Sequence, residues 1–364
     1  VTNLDLLGGV PVINAIGTPR TIGDTLGQRL KPRLQVLTQY LREQLASAIH
    51  EADPAQGANE LSAHLKKLVV PLARSEPTAW MEIESIARAT DIPEEDLLLI
   101  HGWNDLLSHY GSQAQPMRSS YLALPPAHSD SGMSRAVFAW HLDPALFPYV
   151  TLVRRMPSHG PASISLTLVG LQPIAGISEA GLAVACNELR VTDGTQGHFT
   201  SHLLASALNS PAFEDALTKL KKGPRHGGGA MHLLSGNGQR ATVELSGRAT
   251  AVLHDPVPTS PRVHTNHALD GEVMRWGSRH GDSSSKDRLA FLAGRAVEDR
   301  GCGTDGICSW FGLGRPVALG SEARRHGSAG LSAETSVLMI MDPGRNALHV
   351  RRGGGSVRLE SMQF

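Results

Sequence analysis

Aromatic residues are scarce, 4% of the 364-residue chain, and charge of one sign is absent: Lys plus Arg and Asp plus Glu both number 34. Without a basic excess there is no electrostatic footprint for nucleic acid or an anionic membrane surface. Without interleaved aromatics there is no platform on which bases would stack. The three cysteines, Cys186, Cys302 and Cys308, are too few and of the wrong parity for a disulfide framework. Cys302 and Cys308 alone do not make a metal site, which needs more ligands. No stretch approaches the ~18 to 20 apolar residues of a membrane span, and the first residues lack the basic-then-apolar plan of a secretory signal. The expectation is a cytoplasmic protein without metal or obligatory cofactor, its oligomeric state left open.

What is present changes character along the chain. Leu34, Leu37, Leu41, Leu45 and Ile49 fall at helical spacing. Asn59–Val70 continues in that style and is expected to stop at Pro71. Met81–Ala89 and Pro93–His101 form another helical pair, with Asp91 and Glu94 spaced like a capping box. Gly111–Pro116 is a polar linker. Beyond it strands dominate. Ala136–Trp140 is apolar, and Ser163–Leu168 alternates polar and apolar like a half-buried strand. Ser178–Gly181 reads as a turn into the Leu182–Ala185 run. Ala241–Leu245, Ala249–Leu253, Val337–Met341 and Leu348–Val350 are further strands, with helices at Pro211–Leu220 and Lys286–Glu298. Gly236-Asn237-Gly238 reads as a hairpin turn, Gly227-Gly228-Gly229 as a flexible loop and Arg315–Ser332 as a long surface loop. His264-Thr265-Asn266-His267 lacks the carboxylates of a metal site. Helices followed by strands make an α+β protein, divided at 1–118 (helical) and 119–364 (core) within one integrated domain.

Several short patterns occur in an order that resembles one family. Gly17-Thr18-Pro19 with Ile22-Gly23 and Gly27, then Glu82–Ala89 before Ile92-Pro93-Glu94-Glu95-Asp96-Leu97, form its opening part. Ser119-Ser120-Tyr121-Leu122-Ala123-Leu124-Pro125-Pro126, running to Gly132, resembles a Cys-Thr-Ser-Phe-Ala-Val-x-Pro segment. Phe138–Pro144 resembles a Gln-Asn-Trp-Asp element, and Gly176–Val184 a strand–turn–strand element. His264-Thr265-Asn266-His267 matches a His-Thr-Asn-His element, and Met341-Asp342-Pro343 a terminal strand end. The chain thereby resembles the acyl-CoA:6-aminopenicillanic acid acyltransferase family of N-terminal-nucleophile (Ntn) hydrolases, over nearly its whole length.

The resemblance implies an αββα Ntn sandwich with a helical N-terminal segment, and self-cleavage between Arg118 and Ser119. Ser119 would attack the Arg118 carbonyl, and water would open the ester left by the N-to-O shift. The freed α-amine, with a reference pKa of about 7.7–8.0, would be the base for its own hydroxyl. Asn266 matches the family's catalytic asparagine and would donate to the oxyanion. Three departures stand out: serine in place of the family's cysteine, His141 in place of its aspartate, and Cys308-Ser309 where an arginine is expected. His141, Asp143 and His267 are candidates to orient the nucleophile or substrate, Tyr121 and Asn187 to line the substrate site, and Arg288 or Arg315 to replace the arginine. The activity the resemblance implies is hydrolysis or transfer of an acyl group at an N-acyl amide, in secondary metabolism. The partners are a small acyl amide or acyl-thioester and an amine, with no cofactor and with acyl-CoA as one candidate co-substrate. The alternative is an unprocessed member of the family that only binds ligand.

Overall fold

The computed structural model describes residues 5–52, 58–110, 117–171, 173–253, 259–278, 284–311, 316–317, 334–353 and 359–363. The expected linker at 111–116, Arg315 and nearly all of the expected 315–332 loop lie outside them.

The chain opens with two strands, β1 (Asp5–Leu7) and β2 (Val10–Gly17), then five helices: α1 (Pro19–Ala52), α2 (Ala58–Ser75), α3 (Pro77–Thr90), α4 (Glu94–His101) and α5 (Trp103–His109). Next come β3 (Arg118–Leu124), β4 (Arg135–Leu142), β5 (Val150–Pro157), β6 (Ser163–Leu168), β7 (Ala175–Ser178) and β8 (Leu182–Leu189). Two helices, α6 (Thr200–Leu208) and α7 (Phe213–Leu220), precede β9 (Gly228–Ser235), β10 (Arg240–Leu245), β11 (Thr250–Leu253) and β12 (Arg262–His264). The end of the chain holds α8 (Gly271–Met274), α9 (Ser285–Glu298), α10 (Thr304–Trp310), β13 (Glu334–Asp342), β14 (Ala347–Arg352) and β15 (Glu360–Gln363).

The strands form two sheets, of order β1-β2-β5-β6-β7-β8-β9-β10-β11 and β12-β3-β4-β13-β14-β15. Among the described strands, only β2 and β5 pair in parallel. Alternation sorts each strand's residues between layers. Tyr121, Phe138, Trp140 and Met339 share a core with Ala183, Ala185 and Leu166 of the other sheet. The intervening Leu122, Leu124, Val137 and Leu338 pack on Leu292, Ile307 and Trp310 of α9 and α10. On the outer face of the larger sheet, Leu182, Val184, Met231 and Val243 pack on α6 and α7, while α1 lies along β2. The result is four layers, αββα, as the family resemblance implies.

Differences from the sequence reading have physical causes. The first 118 residues include β1 and β2, which tie the helical segment into the edge of the larger sheet. The helix expected to stop at Pro71 continues to Ser75, because Leu68 and Leu72 are both buried and packing offsets the lost hydrogen bond. Asp91 is not a capping-box residue. It sits left-handed at φ 61° as the C-cap of α3, and Pro93 precedes α4. Ser163–Leu168 is buried on both faces rather than half-buried, since helices cover the outer side. Gly228 and Gly229 are not loop but the start of β9. A Cβ on Gly228 would lie 2.5 Å from the Val191 side chain, so only glycine lets these backbones approach. The Gly23 and Gly27 pair has the same logic: a Cβ on Gly23 would stand 2.4 Å from the Glu82 carbonyl oxygen, and α1 packs that closely on α3.

Candidate active site

Ser119 lies at the start of β3, 3% exposed, where the two sheets face each other. Its backbone N–H donates to Asn266 Oδ1 at 2.8 Å. Its hydroxyl oxygen accepts from Asn187 Nδ2 at 2.8 Å. Asn266 Nδ2 stands 3.5 Å from the same oxygen and donates to the Glu188 carbonyl at 3.0 Å. Asn187 comes from β8 in the larger sheet and Asn266 from the turn after β12, so tertiary folding alone assembles the three.

Each partner is held in turn. Arg288 of α9 is fully buried and forks into the site, donating to the Ser119 carbonyl at 2.6 Å, Ser120 Oγ at 2.9 Å and Asn266 Oδ1 at 3.0 Å. Asn187 Oδ1 accepts from His232 Nε2 at 2.7 Å and His264 Nδ1 at 3.2 Å. The other His264 nitrogen meets Glu244 Oε1 at 2.8 Å. His232 Nδ1 faces the Thr242 hydroxyl at 3.1 Å, and its ring lies parallel to Tyr121 with centroids 3.9 Å apart. Burial first, then the neighbouring His264 and Arg262, holds the His232 pKa well below that of a free imidazole. Glu244 also accepts the backbone N–H groups of Leu269 and Asp270, at 2.7 and 2.8 Å. That one buried carboxylate anchors both His264 and the turn carrying Asn266.

The remaining sequence candidates are dispersed. His141 pairs in register with Arg118, and its Nε2 meets Ser120 Oγ at 3.2 Å, one residue away from Ser119. Burial, followed by Arg288 and Arg118, pushes its pKa well down. Asp143 caps a short 3-10 turn through Ala145 N–H at 2.8 Å. Tyr121 supports His232 rather than opening onto the cavity. His267 Nδ1 lies 2.7 Å from Ser285 Oγ, and its side chain lines, with Asn266, a cavity of about 260 Å³. Arg288, not a residue near Ser309, supplies the guanidinium beside Ser119.

A cavity of about 60 Å³ opens on Ser119, with Trp103, Asp105, Met117, Trp140 and Cys186 in its wall. Asp105 is a residue the sequence reading missed. Burial raises its pKa to about 7, against hydrogen bonds from Thr200 and Gly227. Burial also pushes the Cys186 thiol up, with Asp105 and Glu188 adding to it. Glu244 and His232 were missed as well, since isolated residues in ordinary strands carry no local signal. His264, inside the His-Thr-Asn-His element, was the one visible thread to them.

Residues 147–292 match the family model of acyl-coenzyme A:6-aminopenicillanic acid acyl-transferase. The resemblance read from the sequence is borne out over this span. The matched stretch contains Asn187, Glu244, His264, Asn266 and Arg288 but not Ser119. No curated protein matches the chain. Among solved structures, two variants of the conjugated bile acid hydrolase from Clostridium perfringens align at TM-score 0.44, with 11% and 10% identity, covering 67% of this chain and 92% of theirs. Penicillin V acylase from Agrobacterium tumefaciens aligns at TM-score 0.40 and 15% identity, covering 66% of this chain and 76% of its own. Likeness this distant says nothing of individual site residues. Among the described residues, no helix is long and apolar enough to cross a membrane.

Proposed function

We propose that this chain is an Ntn amidase or acyltransferase that cleaves itself between Arg118 and Ser119 and then carries acyl groups on Ser119 Oγ. The observation that carries the reading is the meeting of two asparagines from different elements on one buried serine: Asn187 Nδ2 at its hydroxyl and Asn266 Oδ1 at its N–H, each at 2.8 Å.

In the uncut chain Ser119 Oγ attacks the Arg118 carbonyl carbon. The peptide C–N bond breaks, the Ser119 nitrogen takes the proton, and water hydrolyses the resulting ester. Asn266 Oδ1, which accepts the peptide N–H, then accepts one N–H of the new α-amine and leaves its lone pair for the hydroxyl proton. The guanidinium of Arg288, bonded to the same residue's carbonyl, favours the neutral amine, which is the basic form. Among the described residues, no imidazole or carboxylate is hydrogen-bonded to the Ser119 hydroxyl, and the acceptor it meets is the Cys186 carbonyl at 3.5 Å. A base that appears only on cleavage fits that arrangement. On substrate, Oγ adds to an amide or thioester carbonyl, Asn187 and Asn266 donate to the oxyanion, and the amine or thiol leaves. Water or a second amine releases the acyl group. Acyl-CoA is one thioester that could serve, and the steps need no cofactor. A place in secondary metabolism follows from the family resemblance.

The test is intact mass under denaturing conditions for the wild type and Ser119→Ala. Fragments ending at Arg118 and beginning at Ser119, in the wild type alone, are expected. A single intact chain in both sinks self-processing and leaves a binding protein on the same fold.

A further inference from the structure

A cavity of about 300 Å³ lies on the outer face of the larger sheet, between the starts of α1 and α3 and the helices α6 and α7. It shares Pro173 as a wall with the smaller cavity at Ser119. At this partition two histidines face each other from different helices. His101, the last residue of α4, lines the Ser119 side and His202 of α6 the outer side, their ring centroids 5.3 Å apart and edge to face.

Several polar groups here have no protein partner. His101 is 4% exposed and His202 1%, and none of their four ring nitrogens makes a hydrogen bond. Ser163 Oγ, on the floor of the outer cavity and 1% exposed, makes none either. Buried polar groups are nearly always satisfied, and leaving several unpaired in one place calls for a partner that enters from outside. The charged groups on the cavity wall, in contrast, have polar neighbours. Arg155 donates to Glu82 at 2.8 Å and to the Gly170 carbonyl at 2.8 Å. Glu76 lies 3.0 Å from His198 and accepts from Ser206 at 3.1 Å. Lys219 donates to the Ser206 carbonyl at 3.2 Å. Burial lowers the His202 pKa to about 4, so its ring is neutral and offers one donor and one acceptor. The orphaned imidazole and hydroxyl carry no charge of their own, so they suit an uncharged hydrogen-bonding group.

We propose that the two cavities together form the acyl side of the substrate site, and that the preferred acyl chain carries a neutral hydroxyl or carboxamide at its far end, met by His202 and Ser163. This rests on the reading of Ser119 as the acylated residue. A chain esterified to Ser119 Oγ would run past Trp103 to Pro173 and part the packed rings of His101 and His202 to enter the outer cavity. The apolar walls of the inner cavity hold its methylenes, and the polar end pairs with the orphaned groups.

Two series of 4-nitroanilides, plain acyl and ω-hydroxyacyl, from butanoyl to decanoyl, would be compared by kcat/KM. The wild type is expected to favour the hydroxylated chain about tenfold at the length that reaches His202, the worth of roughly one hydrogen bond. In His202→Phe the ratio falls to about one; Ser163→Ala, a milder change, lowers it part-way and guards against misfolding of the first variant. A ratio near one in the wild type at every length, or a preference that survives in both variants, overturns the proposal. If no anilide is cleaved, the reading of Ser119 fails separately, and saturation-transfer NMR with the free ω-hydroxyalkanamides judges the cavity alone. Signals present in the wild type and lost in His202→Phe uphold the site, and their absence in the wild type refutes it.

Discussion

Glu244 is the residue whose removal tests the architecture of the site most directly. It is fully buried in β10 and accepts three hydrogen bonds: one from His264 and two from the backbone of the turn that follows Asn266. Glu244→Ala leaves two part-buried backbone N–H groups without that acceptor, at about 1–3 kcal/mol each at most, and deprives the buried His264 ring of its carboxylate partner. Breaking a buried pair from one side costs about 3–5 kcal/mol, and that is the expected loss. Glu244→Gln keeps a neutral acceptor and is expected to lose about half as much. Urea unfolding followed by tryptophan fluorescence measures both, since Trp140 and Trp310 are each 1% exposed and report on the core. Function should suffer beyond stability, because His264, one of the two imidazoles that hold the Asn187 amide toward Ser119, loses its own anchor. A Glu244→Ala protein within about 1 kcal/mol of wild type would refute the view that this carboxylate anchors the site.

Other outcomes follow from the same geometry. Asn266→Ala is expected to slow acyl transfer about 10²–10³-fold, read as kcat on any amide the enzyme accepts. Arg288→Lys should not rescue the effect of Arg288→Ala on self-cleavage, followed by fragment formation over time. A lysine cannot span the Ser119 carbonyl, Ser120 Oγ and Asn266 Oδ1 with one planar fork. His64, His109 and His226 pack together with ring centroids 4.5 to 5.2 Å apart, joining α2 and α5 to the entry of β9. Burial, then the neighbouring His109, lowers the pKa of His64 to about 4 and of His226 to about 3. Their folded values lie below the unfolded one of about 6.5, so the unfolded chain binds protons first. The stability they contribute is full above about pH 6.5 and is lost as the pH falls toward those values. Urea midpoints should therefore drop between about pH 7 and pH 5, and less so in His64→Asn.

The layered fold was legible where periodicity is strong. The Leu34–Ile49 repeat, the Ser163–Leu168 alternation and the Lys286–Glu298 helix all have counterparts in α1, β6 and α9. Local rules misled where tertiary contacts overrode them. Pro71 stays within a helix because its neighbours are buried, and Gly228 and Gly229 extend a strand because a neighbouring side chain leaves no room for a Cβ. In the site, the His-Thr-Asn-His element marked Asn266 and His264, and the segment around Ser119 marked the nucleophile candidate. Both signals are contiguous. Glu244, His232, Asp105 and the His101–His202 pair are not, and nothing around them in the chain distinguishes them from residues of any other strand or helix.

The sequence by itself determined the elements, their order and the identity of the groups able to react, because hydrophobic period, turn chemistry and short motifs act over a few residues. Only the tertiary structure decided which groups meet. Ser119 and Asn266 are 147 positions apart, and Ser119 and Arg288 169, yet they are hydrogen-bonded. Contacts between distant positions depend on how two sheets stack and register, and that is set by the packing of the whole core, not by any one stretch of chain.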